Sequence, residues 1–306
     1  MQHITFRAMG STINAVIDDD SPRAAAALRD VPAWFEAWEQ VFSRFRPTSE
    51  LMRLNAACGR WVEVSELLWE VLCLAMQAAA WTDGLVTPTV HTALVRLGYV
   101  RDFEALRVGE TALPLSERAQ PSPDWRRIER DAARRLVRVP CGVALDLGGI
   151  AKGWCAAQAA QRLATIAPAL VDAGGDIAVA PSAARTTRFP IGVADPHQPE
   201  SLLAVIGVAG GCVATSGRDY RRWKVGDHEV HHLIDPRTGL PAQTDVLTAT
   251  VIAPEAWQAE AAAKTLLLLG SEAAPRWLQA QPNLAACLVR DDGRTWHNER
   301  FAALLW

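Results

Sequence analysis

The 306-residue sequence lacks any apolar run near the roughly 18 residues that cross a membrane as a helix. It also lacks an excess of charge of either sign, since 31 Lys and Arg stand against 34 Asp and Glu. That excludes the bulk positive field that would draw nucleic acid or an anionic membrane surface, and electrostatics names no macromolecular partner. The six cysteines, at 58, 73, 141, 155, 212 and 287, include no C-x-x-C pair and are too sparse for a small stapled scaffold. Zinc-ribbon and dithiol redox chemistry therefore fall away, and buried free thiols are expected. No G-x-G-x-x-G turn follows a strand, so the usual dinucleotide crevice is excluded. The N-terminus, Met1-Gln2-His3-Ile4-Thr5-Phe6-Arg7, carries no features of a secretory leader. A cytoplasmic protein without a membrane anchor is expected.

Half of the residues are apolar, enough for a sizeable core, and no repeat, low-complexity tract or long linker interrupts them. The loosest stretches are Ala112 to Trp125 and Pro181 to Arg188, and neither reads as a domain boundary. Ala-rich stretches at Ser21 to Arg29, Leu67 to Trp81, Ala151 to Ala164 and Ala256 to Leu269 predict helices. Segments rich in Val, Ile and Thr at Ile13 to Ile17, Leu136 to Val139, Ile177 to Ala180, Leu203 to Val208 and Leu247 to Ala253 predict strands. Without strict βαβ alternation, the pattern favours an α+β fold over a doubly wound parallel sheet.

The densest chemical signal runs from Val213 to Pro241. It holds Ala214-Thr215-Ser216-Gly217, then His231-His232-Leu233-Ile234-Asp235-Pro236-Arg237-Thr238-Gly239. Pro fixes φ and Gly takes conformations that other residues avoid, so the Asp235 to Gly239 turn can hold a neighbouring side chain rigidly. His232 titrates near neutral pH and can take a proton from a hydroxyl, or can simply satisfy the turn. The dipeptide leaves both open.

A second constellation is Asp146-Leu147-Gly148-Gly149-Ile150-Ala151-Lys152-Gly153-Trp154. Glycines before a helix N-terminus expose N–H groups that suit a phosphate, and Lys152 adds a point charge; a tight turn with a solvated lysine is the alternative. Further glycine turns lie at Gly174-Gly175-Asp176 and at Asp83-Gly84-Leu85-Val86-Thr87, and alone each reads as a turn. Ser49 with Glu50 could open an ordinary helix. Trp154 and Trp223 read as core.

In this order the blocks resemble the ApbE family of FAD:protein FMN transferases. Met9-Gly10-Ser11 stands for its M-G-T, and Ser43 to Asn55 for its S-x-Y-x-P-x-S-E-x-x-x-x-N. Asp146 to Gly153 matches D-L-x-x-I-A-K-G, Gly174 to Asp176 G-G-D, Ala214 to Gly217 A-T-S-G, and His232 to Gly239 H-I-I-D-P-x-T-G. The resemblance implies one α+β domain over residues 1–306 with mixed sheets and flanking helices. It would bind FAD and move FMN to a Ser or Thr hydroxyl of an acceptor flavoprotein, releasing AMP.

His232 would be the base, with Asp235 beside it in the catalytic turn. The dinucleotide would be held by Met9, Gly10, Ser11, Phe45 in place of the family's Tyr, Asn55, and Leu85-Val86-Thr87 in place of A-F-D. Asp146, Lys152, Gly174, Gly175, Asp176, Thr215, Ser216, Gly217 and Ile234 complete that set.

In the family, a backbone carbonyl at the position of Gly149 joins a helical Asp and Thr around magnesium. Here Glu260 and Lys264 replace that Asp and Thr. A lysine ammonium only donates. Either Lys264 stands in for the cation, held by Glu260 one helical turn back, or the two form a plain salt bridge and Glu260 with Gly149 recruits magnesium or nothing does. The first is favoured, since an unpaired charge on an apolar helix is costly. The family's aspartate five residues after the lysine is Ala157 here. The alternative functions are an FAD-binding protein without transfer chemistry and an FAD pyrophosphatase.

Overall fold

The computed structural model describes residues 1–101 and 119–306. Part of the expected loose stretch at 112–125 thus lies outside the described residues. Chain contacts gather into two compact units: Met1–Glu36 with Lys152–Asp219 and Thr244–Trp306, and Ala37–Ala151 with Tyr220–Gln243. Among the described residues, no helix is long and apolar enough to cross a membrane.

The first unit is built on an eight-stranded sheet. Its spatial order is Gln2–Ala8, Ser11–Ile17, Ala169–Ala173, Asp176–Ala180, Gly211–Gly217, Val246–Ala253, Ala285–Arg290 and Thr295–His297. Every neighbouring pair is antiparallel, so the expectation of an α+β fold without a Rossmann crevice holds. Met9 and Gly10, at φ 51° and 66°, form the two-residue turn of the first hairpin, with Ala8 opposite Ser11. Both central residues take the positive φ that the right-handed twist of a hairpin favours.

The helix Ala256–Gln279 packs on the strands Gly211–Gly217 and Val246–Ala253. Its fully buried Ala259, Ala261, Ala262 and Ala263 let helix and sheet approach closely. This helix runs past the end predicted at Leu269 because the chain kinks at Gly270 (φ 75°) and restarts. Asp245 caps the restart by accepting from Ser271 N at 2.9 Å.

The second unit holds the helices Glu50–Asn55, Glu66–Trp81 and His91–Arg96 and a three-stranded sheet ordered Trp61–Glu63, Leu136–Arg138, Glu129–Asp131. Ser49 and Ser65 cap the first two helices by accepting from Met52 N and Leu68 N. The Glu50 carboxylate accepts from Ser65 N and Oγ, both at 2.6 Å, tying the two helix starts together. Ser49 and Glu50 therefore open a helix, one of the readings the sequence allowed. A separate apolar core includes Leu94, Leu97, Tyr99, Trp223, Val230 and Ile234.

The cysteines depart from expectation at two positions. Cys58 and Cys141 form a disulfide, and both are exposed. The cause lies in strand register: Trp61 pairs with Arg138, and the same register carried three residues further sets Cys58 opposite Cys141. Sequence spacing gave no sign of that pairing. Cys155, Cys212 and Cys287 are buried free thiols as expected, while Cys73 is half-buried. Burial pushes the Cys212 thiol up to about 12 and Cys287 up to about 11, so both stay protonated and inert.

Candidate active site

In the first unit the Met9–Gly10 turn lies beside the Gly174–Gly175 turn, because Ser11–Ile17 pairs with Ala169–Ala173. Gly174, at φ 70°, has no room for a side chain: a Cβ there would stand 2.7 Å from Ser11 Cβ and Oγ. Asp172 Oδ1 accepts from Gly175 N at 2.8 Å and fixes the second glycine. Ser11, from the N-terminal motif, thus meets Gly174, from the middle of the chain.

Next in the same unit are four buried or largely buried charges. Lys152, near the start of the helix Ala151–Ala164, pairs with Asp176, the first residue of its strand. Glu260 is 1% exposed; its Oε1 accepts from Gly153 N at 2.8 Å, and its Oε2 pairs with Lys264 Nζ at 3.2 Å. A Cβ on Gly153 would stand 2.5 Å from Glu260 Oε1, so only glycine admits the carboxylate to the helix start. One of the N–H groups expected to await a phosphate is therefore taken by the protein's own carboxylate. Burial, with the nearby Asp176 charge, pushes the Glu260 carboxyl above its usual range, against the pull of Lys264, Lys152 and the Gly153 N–H.

Glu260 is poorly placed to hold magnesium: both its oxygens already accept from the protein, and the residue one turn on is an ammonium, which has donors only. Across the sheet, Ala214 pairs with Asp176, and the Thr215 hydroxyl shares a 2.9 Å hydrogen bond with Thr250. Ser216 is buried, and a Cβ on Gly217 would stand 2.2 Å from Asp219 Oδ1.

In the second unit the predicted residues converge on Asp146. Asn55 clamps the preceding residue, donating to Leu145 O at 2.9 Å and accepting from Leu145 N at 2.8 Å. Asp146 N donates to Pro88 O at 2.8 Å, which brings the Leu85-Val86-Thr87 turn alongside. Val86 N donates to Thr82 Oγ1, and the Thr87 hydroxyl pairs with that of Thr89 at 2.9 Å. Asp146 Oδ1 accepts from Gly148 N at 2.7 Å, and Gly149 is half-buried.

Asp146 also pairs with Arg44 at 2.8 Å, a residue not singled out from sequence. The guanidinium lies 4.1 Å from the Phe45 ring centroid and 4.4 Å from that of Tyr99. The signal that could have found it is its place inside the Ser43 to Asn55 motif, a cation directly before the predicted aromatic contact. His91, equally unforeseen, follows the Pro88-Thr89-Val90 turn and feels both partners. Burial holds its imidazole below the usual 6.5; Arg44 adds to that, and Asp146 opposes it. Unfolded chains bind that proton near pH 6.5 and the native state only at lower pH, so stability falls as pH drops below 6.5. His91→Gln is expected to flatten this acid-side loss in urea unfolding between about pH 7 and pH 5.

His232 is half-buried, between the hairpin Arg222–Val225/His228–His231 and the short strand Ile234–Asp235. Asp235 forms two-pronged contacts with Arg237, at 2.7 Å and 2.9 Å, and its carbonyl accepts from Gly239 N at 2.8 Å. Its carboxylate thus shapes the turn. Ile234 and Trp223 lie in the core, with Trp223 Nε1 donating to Leu97 O, and Trp154 is buried, as expected for both tryptophans. A Cβ on Gly239, at φ 71°, would stand 1.9 Å from the Gln120 carbonyl oxygen. Gly239→Ala is therefore expected to cost well over ~1 kcal/mol, read as a lower urea midpoint.

The profile of the ApbE family matches residues 9–288. The chain belongs to the ApbE family. An FAD:protein FMN transferase of Treponema pallidum is 32% identical over 287 residues, spanning 88% of this chain and 78% of that one. One from Salmonella typhimurium is 25% identical over 300 residues, spanning 95% and 85%. Among solved structures, the ApbE protein of Thermotoga maritima superposes with a TM-score of 0.87 at 26% identity, covering 99% of this chain and 98% of its own. The ApbE profile thus extends across segments of both compact units.

Proposed function

We infer that this chain is an FAD:protein FMN transferase acting as one functional whole over residues 1–306. FAD is its substrate, a Ser or Thr hydroxyl of an acceptor flavoprotein attacks the FMN phosphorus, and the bond to AMP breaks. The observation that carries the reading is the pairwise convergence of family motifs distant in sequence: Ser11 on Gly174, Lys152 on Asp176, Asn55 on the Asp146 segment. His232, in its rigid turn, takes the hydroxyl proton. Lys152 supplies fixed positive charge to the pyrophosphate.

Lys264 takes the place of a divalent cation in this reading. Its Nζ lies 3.2 Å from Glu260 Oε2, and that carboxylate, one helical turn back and fixed in turn by Gly153 N, holds the ammonium in place. An exposed disulfide persists most readily in an oxidising compartment, which weighs against the cytoplasm expected from sequence.

The test is incubation with FAD and a Thr-containing acceptor peptide, with and without magnesium, followed by mass spectrometry of peptide and nucleotide. A peptide heavier by FMN with AMP released supports the transferase. FMN with AMP and an unmodified peptide would mean a pyrophosphatase, and intact bound FAD with the natural acceptor unmodified would mean a carrier.

A further inference from the structure

Arg44 is the most constrained cation of the second unit. Its side chain is 8% exposed, its Nε pairs with Asp146 Oδ2 at 2.8 Å, and its Nη1 donates to Tyr99 O at 2.7 Å. Its Nη2 is buried and has no hydrogen-bond partner among the described residues. A guanidinium keeps its proton and has donors only, so a buried N–H edge left unpaired is costly unless a ligand satisfies it.

The surroundings decide what that ligand atom can be. Nε is held by Asp146 and Nη1 by Tyr99 O, so a single nitrogen is left for a ligand, which suits one acceptor atom better than a doubly charged phosphate. Its flanks are aromatic: Phe45 and Tyr99 lie 5.7 Å apart by ring centroid, and Tyr99 and Trp223 5.2 Å. The rings are tilted to one another, by 59° and 36°; a planar heterocycle packs against such an aromatic flank and brings in-plane acceptors with it.

We propose that Arg44 is a ring-recognition residue, its Nη2 donating to an in-plane nitrogen or carbonyl oxygen of one heterocycle of the bound dinucleotide. The proposal rests on the FAD reading and adds to it the residue that reads a ring. Both rings of FAD carry such acceptors, and the test tells them apart.

Calorimetric titrations would compare wild type and Arg44→Lys with AMP, FMN and inorganic pyrophosphate. Lysine keeps a positive charge opposite Asp146 but lacks the second N–H edge. The expected result is a loss of about tenfold in affinity for either AMP or FMN, with the other ligand and pyrophosphate changed less than about twofold. The weakened ligand names the ring. Equal weakening of all three, weakening of pyrophosphate alone, or no change overturns the proposal. Wild type that binds neither AMP nor FMN would instead sink the FAD reading itself.

A ligand-side series on wild type keeps the test independent of how the variant folds. AMP analogues with one ring nitrogen replaced by C–H, and FMN analogues with one ring carbonyl oxygen replaced by sulfur, should show a single position whose loss costs about tenfold. Uniform tolerance across the series overturns the proposal.

Discussion

His232→Ala is expected to slow FMN transfer by a factor of about 10²–10⁴, the usual worth of a positioned general base, while FAD remains bound. Release of AMP gives the rate, and FAD fluorescence titration gives the binding. The separation follows from where His232 sits. Its turn is held by other groups: Asp235 on Arg237, Gly239 N on Asp235 O, and Ser122 N on Pro236 O at 2.8 Å. The adjacent His231 is buried, with Nε2 3.2 Å from Ala242 O, and belongs to that support. Loss of FAD binding together with transfer would move His232 into the same supporting role and remove it from the chemistry.

Lys264→Thr is expected to make transfer depend on magnesium. Wild type should run at the same rate, within about twofold, in EDTA or in magnesium, whereas the variant should lose at least roughly tenfold in EDTA and recover with the metal. The substitution takes away the donor on Glu260 Oε2 and puts an oxygen one helical turn from that carboxylate. Equal metal dependence in the two proteins would refute the lysine as the cation, and the Glu260–Lys264 contact would then be a salt bridge alone.

Much of this was legible before any coordinates. Helices at Leu67 to Trp81 and Ala151 to Ala164 match Glu66–Trp81 and Ala151–Ala164 closely, because Ala and straight-chain residues dominate both. The strand predicted at Leu247 to Ala253 stands as Val246–Ala253. Gln2–Ala8 and Ala285–Arg290 carry no clear strand signal: the first is an edge strand with no fully buried residue, and the second is buried along nearly its whole length, without period-two alternation.

Within the site, glycine turns could be read from sequence because glycine is the residue those conformations demand. Arg44 and His91 are harder to read: Arg44 has only its place beside Phe45 in the motif, and its pairing with Asp146, like the effect of Asp146 on His91, acts across a long stretch of chain. The same holds for Glu260. Its one-turn partner Lys264 was visible as an i,i+4 spacing, but its bond to Gly153 N spans 107 residues and no local pattern announces it.

The disulfide turns the middle of the chain into a covalent ring with two tails. Thr87 and His91 ride on the ring, whereas Arg44 lies on one tail just before the closure and Asp146 on the other just after it. Even in the unfolded, oxidised chain those two charges stay tethered at high effective concentration, so Arg44 need not search the length of the ring to find its partner. A break anywhere within the ring would leave the two tails, and the ion pair between them, joined as one molecule.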